Sequence, residues 1–323
     1  EATFDGSFGL AIGAAAAPDA GAQLYVSELG SGRIRVIDTS GFVWTWVGGS
    51  AGNAQWPDSP SSPFLHPRGM AVGARGELYV VDSRHGLTLI EDGRLIPLGS
   101  GISGFRDGPV AEAAFNAPGD VAIGQGGVVC LSDSSNNRVR MLSATGAVGT
   151  LAGSGNYGYR DGAAMDAQFT HPNGLSFDAQ GLLYIADGGP LGASPRSASA
   201  RIRVLSPTGQ VGTYAGDGEA GYIDGPSAQA RFGVPLMGLA FDGYDNLYVA
   251  DMSNHVVRVV TREGRVLTVA GTGDYGLRGG TGAEAMLGLP AHIVWDGRDA
   301  LYVADYGQNV IWQIMLPNNR ANP

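Results

Sequence analysis

The chain has 323 residues, a formal net charge of −10, and 20 cationic side chains that are all arginine. An acidic surface of this kind repels phosphate backbones, which argues against nucleic acid as a partner. No apolar run is long enough to cross a bilayer, so we expect no membrane span. The 53 glycines and 17 prolines fit a chain built from tight turns.

Six copies of one short phrase divide the chain. They are LYVSE at 24–28, LYVVD at 78–82, VCLSD at 129–133, LYIAD at 183–187, LYVAD at 247–251 and LYVAD at 301–305. The intervals are 54, 51, 54, 64 and 54 residues, and a period of this size indicates a repeat architecture. Within a single domain over 1–323 we expect repeats at about 4–50, 64–101, 115–155, 169–218, 232–273 and 287–315.

Each repeat has the same order of short segments. It opens with a large apolar residue, a proline and an apolar run, as in FLHPRGMAV at 64–72, and the LYVAD-like phrase follows. Two further runs come next, such as RVRML at 138–142 and VGTLAG at 148–153. Short runs bounded by Gly, Asp and Pro are typical of strands. Four antiparallel strands per repeat predict an all-β, six-bladed β-propeller.

These segments resemble the NHL-repeat family, whose pattern is P-x-G-hydrophobic-A, then LYVAD, then N-x-R-I-R, then TLAG-x-G. The resemblance covers essentially the whole chain and implies the same six-bladed propeller. It does not imply one function, because propellers of this family serve many ends.

The two ends of the chain differ from the other repeats. The last repeat runs through VIWQIM at 310–315 and reaches Leu316-Pro317 where a fourth strand should begin after a turn. We therefore predict that blade 6 is incomplete and leaves an exposed sheet edge at 310–315. The chain begins inside a repeat, so we expect a domain cut from a larger protein.

Candidate site residues are found where the repeats disagree. The inner strand of most blades begins at a glycine, but blade 3 has Asp120 and blade 6 has His292 at that position. Arg68 and Asn173 directly precede it in blades 2 and 4. Inner strands begin near one mouth of the central channel, on the face that also carries the blade junctions. We call this the top face and expect these four residues to converge there.

This convergence has two interpretations. Asp120, Asn173 and His292 are acceptable ligands for calcium or another divalent ion, which would make a polar ligand or metal site. Alternatively, a propeller channel is wet, and polar side chains there hold ordered water. The family's zinc-binding lyases use several channel histidines, and His292 alone occupies a matching position here.

The junctions between blades carry a second set of candidates. The aromatic residues are Trp56, Phe105, Tyr157, Tyr159, Tyr222 and Tyr275, and the neighbouring arginines are Arg106, Arg160 and Arg278. Aromatic and arginine side chains favour contact with a protein or a glycan, with Tyr159 and Tyr222 as ligand-binding candidates. The alternative is that each ring packs between blades. An insertion at 188–200 in blade 4 belongs to the same face.

Two further features have simple structural interpretations. The aspartate that ends each LYVAD-like phrase is a turn cap that accepts backbone N–H groups and faces the arginine five residues later, as Asp133 faces Arg138. The single cysteine, Cys130, replaces a residue of an apolar run, and we expect it to be buried.

We favour a binding or scaffolding module that uses the top face for a protein or glycan partner, and we assign no catalytic residue. The alternative is a propeller enzyme with its site at the channel mouth. The resemblance suggests a calcium-dependent lactonase or esterase-like hydrolase, or a metal-dependent lyase. The sequence does not determine the cellular compartment, and we favour an extracellular or cell-surface location.

Overall fold

The chain folds as a six-bladed β-propeller, which confirms the predicted architecture. The computed structural model describes residues 3–14, 22–48, 63–190, 192 and 199–317. Six antiparallel sheets of three to five strands surround one axis. The described residues form no α-helix, and their short 3₁₀ turns are Gln125–Gly127, Ser134–Asn136, Ser227–Gln229 and Met252–Asn254. None of these helical turns has the length to cross a membrane.

Blades 1 and 2 have four strands each, in sequential order from the axis outward. In blade 1, β1 to β4 are Ser7–Ala14, Ala22–Glu28, Arg33–Ile37 and Val43–Val47. In blade 2, β5 to β8 are Met70–Val72, Leu78–Asp82, Gly86–Glu91 and Arg94–Pro97.

Blades 3, 4 and 5 have five strands, because a two-residue strand of the incoming junction pairs with the outer edge. In blade 3, β9 to β13 are Gly108–Pro109, Val121–Ile123, Val129–Asp133, Arg138–Leu142 and Ala147–Ala152. In blade 4, β14 to β18 are Gly162–Ala163, Pro172–Phe177, Leu183–Asp187, Ala200–Leu205 and Gln210–Gly218. In blade 5, β19 to β23 are Gly225–Pro226, Leu239–Phe241, Leu247–Asp251, Val256–Val260 and Arg265–Ala270.

Blade 6 has three strands: β24 at Pro290–Trp295, β25 at Ala300–Asp305 and β26 at Val310–Met315. Within the described part of the chain, no strand pairs with the outer side of β26. This confirms the predicted incomplete blade and its open edge.

The core lies between neighbouring blades. A phenylalanine near the start of each middle repeat fills the gap between consecutive blades, as Phe115, Phe169 and Phe232 do with 4%, 0% and 0% exposure. Each such ring contributes about 1.5–3 kcal/mol by burial. Cys130 is fully buried in the cluster around Phe169, which confirms its predicted role as a small core residue.

The aspartates at the ends of the second strands accept backbone N–H groups as predicted, but Asp133 and Asp251 accept them from the segment before the inner strand and do not cap the turn that follows. The predicted arginine partner is also different. Asp133 accepts the backbone N–H of Asn116 at 2.8 Å and pairs with Arg140 at 2.6 Å. The predicted pair with Arg138 is wrong, because Arg138 donates to the carbonyls of Asn136 and Ser154. Arg138 lies directly opposite Asp133 at the end of the strand pair, whereas the side chain of Arg140 reaches Asp133 diagonally.

Candidate functional site

The inner strands nearly touch one another where they begin. A Cβ atom added to Gly9 would lie 1.9 Å from the Arg68 carbonyl oxygen, and one on Gly174 would lie 2.3 Å from that of Met237. Neighbouring blades therefore leave no room for a side chain at these positions, which explains why the repeat uses glycine there. The close approach narrows the channel at the top face.

Asp120 and His292 meet across this narrow point. Nε2 of His292 lies 3.2 Å from Oδ1 of Asp120, and the two residues are 7% and 2% exposed. Asp120 also accepts the backbone N–H of Val121 at 2.8 Å and that of Leu175 at 2.9 Å. The carboxylate thus joins blades 3, 4 and 6, and it has a structural role whether or not a ligand binds.

A cavity of about 290 Å³ extends along the axis from this pair and is lined by the inner strands of all six blades. Its walls are mostly apolar, including Phe177, Phe241 and Trp295. At its polar end, Nδ1 of His292 is buried and has no hydrogen-bond partner among the described residues. If Nε2 donates to Asp120, a neutral imidazole presents Nδ1 as an acceptor to the cavity.

Asn173 lies near Asp120 in the fold but is used in a different way. Its Nδ2 donates to the carbonyls of Gly189 and Leu236, both at 3.0 Å, and its Oδ1 lies 3.0 Å from Nδ1 of His171. These bonds connect blade 4 to blade 5. A cation held by Asn173 and Asp120 would have to displace several of them, so the divalent-ion site stays a prediction. The described residues contain no group of three or more His, Cys, Asp or Glu side chains placed to hold a metal.

Arg68 is the fourth residue predicted for the mouth. Its guanidinium lies 5.6 Å from the Phe8 ring, and Phe8 packs edge-on against Tyr306 at 5.8 Å. Nε of Arg68 is buried without a hydrogen-bond partner, and burial lowers the pKa of the guanidinium. Burial, assisted by the charge of Arg68, also lowers the pKa of His171 to about 4. His171 is therefore neutral at physiological pH.

Tyr159 and Tyr222 do not join the residues at the mouth. The Tyr159 hydroxyl lies 3.0 Å from both Asp161 and Thr213 at the outer edge of blade 4, and Arg201 stacks over the ring at 3.8 Å. Tyr222 contacts Thr268 at 2.8 Å in blade 5. Both rings remain 45% exposed, so they can still contact a partner at the rim. Trp56 and most of the blade 4 insertion lie outside the described residues.

Sequence reasoning missed three side chains that surround Arg68. Phe8 and Tyr306 belong to an apolar cluster with Met237, Met252 and Ala291, and His171 lies close enough for the charge of Arg68 to lower its pKa. The sequence offers one signal for His171, which is its position directly before the proline that opens its repeat. This position adopts a positive φ of 99°.

The comparisons with known proteins agree with this fold. No family model matches the chain. NHL repeat-containing protein 2 of Gallus gallus is 34% identical over 151 residues, which cover 43% of this chain and 19% of that protein. NHL repeat-containing protein 2 of Bos taurus is 26% identical over 331 residues, covering 90% of this chain and 44% of that protein. These similarities and the six-bladed architecture are consistent with an NHL-repeat β-propeller. The chain spans less than half the length of these curated relatives.

Solved structures share the architecture of this six-bladed propeller at low sequence identity. An auxiliary nutrient binding protein from Bacteroides thetaiotaomicron superposes with a TM-score of 0.68 and 16% identity over 97% of this chain and 70% of that one. A gluconolactonase from Xanthomonas campestris superposes with a TM-score of 0.61 and 17% identity over 98% and 87%. These likenesses concern the fold alone.

Proposed function

We propose that this NHL-repeat propeller is a binding module that contacts a protein or glycan partner with its top face. One observation carries the proposal: large hydrophobic side chains are exposed on consecutive blade junctions. This junction patch consists of Ile102, Phe105, Tyr157, Tyr159, Tyr222, Tyr275 and Leu277, which are 71%, 46%, 54%, 45%, 45%, 52% and 57% exposed. Exposed apolar and aromatic groups of this kind mark interaction surfaces.

The junction patch is held in place before any partner arrives. Arg138 stacks over Phe105 at 3.9 Å, and the Tyr275 hydroxyl donates to the Gly307 carbonyl at 2.9 Å while its ring packs on His255. A surface of fixed rings loses little side-chain entropy on binding, and this favours recognition. The likeness in fold to a nutrient binding protein is compatible with this role.

The alternative function is a hydrolase or lyase with its site at the channel mouth. The buried Asp120–His292 pair and the likeness in fold to a gluconolactonase favour it. Both carboxylate oxygens of Asp120 already accept hydrogen bonds within the fold, and this favours a structural role for the residue. We therefore prefer the binding module.

The test compares the two faces of the propeller. A glycan panel and a peptide library are screened for ligands, and affinities are then measured for Tyr222→Ser/Tyr275→Ser and for Tyr244→Ser/Phe42→Ser. Tyr244 and Phe42 are 51% and 65% exposed in turns on the opposite face. We expect the junction variant alone to weaken binding, by about tenfold or more. Equal loss in both variants contradicts the proposal. Calcium-dependent lactone hydrolysis that Asp120→Asn abolishes would establish the enzyme instead.

A further inference from the structure

Arg68 is a cation without a counterion among the described residues. No described carboxylate lies within ion-pair distance of its guanidinium, and its Nε makes no hydrogen bond although it is buried. The backbone around it is fixed, since the Arg68 N–H donates to the Val81 carbonyl at 2.9 Å and its carbonyl accepts from Ser27 at 2.7 Å. The side chain therefore starts from a rigid position beside the axis.

Arg68 is only partly buried, whereas three other arginines of the chain are completely buried and fully partnered. Arg140, Arg203 and Arg258 are each completely buried, and each makes an ion pair with two aspartates. Burying a guanidinium without such partners is costly. The fold supplies carboxylates to these three arginines, whereas Arg68, like the half-buried Arg33, has no carboxylate partner among the described residues. A bound carboxylate would supply that partner at the mouth of the channel.

The surroundings of Arg68 define what else a ligand meets. Tyr306 and Leu289, both partly exposed, form an apolar wall beside the buried Phe8, and Tyr306 interacts electrostatically with the guanidinium. On the blade 4 side, Asn173 donates to two carbonyls, so its Oδ1 is the acceptor for Nδ1–H of His171. His171 is thus a neutral group that adds no second positive charge.

We infer that Arg68 binds the carboxylate of a ligand whose remaining body is apolar or aromatic, at the centre of the top face. A guanidinium matches a carboxylate with two parallel hydrogen bonds, and the partly exposed side chains of Tyr306 and Leu289 take the apolar body. The inference rests on the proposed function, for which it names the chemistry of the ligand.

The charge balance favours a monoanion over a phosphate. One guanidinium neutralises a single negative charge, and the neutral His171 supplies no further cation. The protein as a whole carries a net charge of −10, and its field opposes the approach of a doubly charged anion. A ligand with a single carboxylate and an apolar body is repelled less by this field, and it gains binding free energy from contact with the apolar wall.

The first experiment needs only the unmodified protein. N-acetyl-L-phenylalanine, benzoate and the uncharged N-acetyl-L-phenylalaninamide are titrated by calorimetry and by NMR shift mapping. We expect both acids to bind and the amide to bind at least about tenfold more weakly, since it lacks the charged acceptor. Tighter binding of N-acetyl-L-phenylalanine than of benzoate indicates a peptide C-terminus, and the reverse order indicates a small aromatic acid. Equal binding of acid and amide, or no binding, overturns the inference.

The second experiment uses variants with a readout that a structural arginine would not give. Arg68→Met should lose acid binding by about tenfold or more and keep or raise Tm, because it removes a partly buried charge that has no counterion among the described residues. Arg68→Lys should bind more weakly than the unmodified protein. Arg94→Met, at an exposed position of β8, makes the same change in net charge and should bind normally. A large fall in Tm for Arg68→Met overturns the inference.

The two proposals can fail separately. If no acid binds but the junction variant still loses its screened ligand, the carboxylate site is wrong and the binding module stands. If acids bind through Arg68 while opposite-face and junction variants behave alike, the site stands and the proposed contact surface is wrong.

Discussion

Blades 3 to 5 and blade 6 carry different residues at the same three positions of the repeat. In blades 3 to 5 the incoming junction carries an aromatic residue and, two residues later, an aspartate, and the third strand carries a buried arginine. These triplets are Phe105, Asp107 and Arg140, then Tyr159, Asp161 and Arg203, then Tyr222, Asp224 and Arg258. Blade 6 has Leu277, Gly279 and Trp312 in their place.

The triplet forms a clamp between a junction and the blade that it enters. In blade 4 the guanidinium of Arg203 makes five hydrogen bonds, which go to Asp161, Asp187 and the carbonyls of Arg160 and Gln168. The Tyr159 ring covers it at 4.8 Å. Every N–H of the arginine is satisfied, so the buried charge is tolerated and the junction is fixed over the outer edge.

Blade 6 lacks the clamp and also lacks an outer strand among the described residues. Trp312 donates its indole N–H to Asp305 at 2.9 Å, and this aspartate also accepts the backbone N–H groups of Gly288, Leu289 and Gln308. Beside β26 lies a groove of about 580 Å³ whose apolar lining includes Ala285, Leu287 and Ile314. The difference teaches that the buried arginine fastens the incoming junction to its blade. An outer strand does not by itself require this arginine, since blade 2 has the outer strand β8 and carries Thr88 at the arginine position.

The largest expected effect comes from breaking a clamp. Arg203→Met leaves Asp187 fully buried without its cation, so we expect the free energy of unfolding to fall by about 3–5 kcal/mol. Arg231→Met removes the exposed Arg231–Asp217 pair and should cost less than about 1 kcal/mol. Urea denaturation of the two variants checks the prediction. Similar losses in both would show that the clamp is no stronger than a surface ion pair.

Much of the fold could be predicted from the sequence because each blade repeats one pattern. The repeat register alone placed Asp120 and His292 at equivalent points of opposite blades, and the structure brings their side chains to 3.2 Å. The incomplete blade 6 followed from Leu316-Pro317 in the same way. Positions at which one repeat departs from the others are visible in a sequence without any knowledge of packing.

Other features depend on three-dimensional approach and could not be read from the pattern. The pairing of Asp133 with Arg140 instead of Arg138 depends on the diagonal reach of a long side chain. The use of glycine at the inner-strand starts depends on how closely neighbouring blades approach, as at Gly9 and Arg68. The grouping of Phe8, Tyr306 and His171 around Arg68 joins residues from separate blades and has no sequence signature.

We expect low pH to reduce the free energy of unfolding through His171, which lies beside the inner strand of blade 4. Burial lowers the pKa of His171 from 6.5 to about 4, so between these values the unfolded chain binds more protons than the folded one. Stability is therefore complete above the unfolded pKa and falls as pH decreases toward the folded pKa, by about 3 kcal/mol in the limit. Burial raises the pKa of Asp187 in the same blade to about 6, and this group contributes in the opposite direction. The loss is therefore measured as the difference between the unmodified protein and a His171 variant, from unfolding free energies near neutral pH and near about pH 4.5.

The matching variant is His171→Asn, since asparagine tolerates the positive φ of 99° at this position. It should flatten the pH dependence by removing the titrating ring. His66→Asn makes the same change at the exposed equivalent position of blade 2 and should keep the pH dependence of the unmodified protein. An unchanged acid response in His171→Asn would show that another group causes it.

A smaller effect on stability is expected at a core position that differs between blade 3 and blade 6. Blade 3 has the fully buried Cys130 where blade 6 has the half-buried Tyr302. Burial raises the pKa of the Cys130 thiol to about 12, so the thiolate does not form near neutral pH. Cys130→Ser should cost about 1–3 kcal/mol by burying a hydroxyl, with Cys130→Ala as the apolar control. Fast reaction of the folded protein with a thiol reagent would contradict this packing.

The last prediction rebuilds the clamp in blade 6. The junction backbone there follows the same course as in the clamped blades: Gly280 has a φ of 143°, and Gly108, Gly162 and Gly225 have 132°, 129° and 135°. Arg278 and Met286 exchange backbone hydrogen bonds as Arg160 and Gln168 do in blade 4. Position 279 therefore stands where the clamp aspartates stand, and a Cβ atom there meets no heavy atom within 4 Å.

Gly279→Asp and Trp312→Arg should accordingly stabilise each other, although Trp312→Arg alone loses the packing of the indole. We expect a favourable coupling of about 1–2 kcal/mol in a double-mutant cycle, because the introduced arginine would join the introduced aspartate to the existing Asp305. Gly279→Asp with Trp312→Met supplies the aspartate without a cation and should show no coupling. Equal coupling in both cycles would mean that the three positions do not form a transferable clamp. A favourable coupling in the arginine cycle alone would show that the clamp depends on local geometry that blade 6 has kept, even without an outer strand.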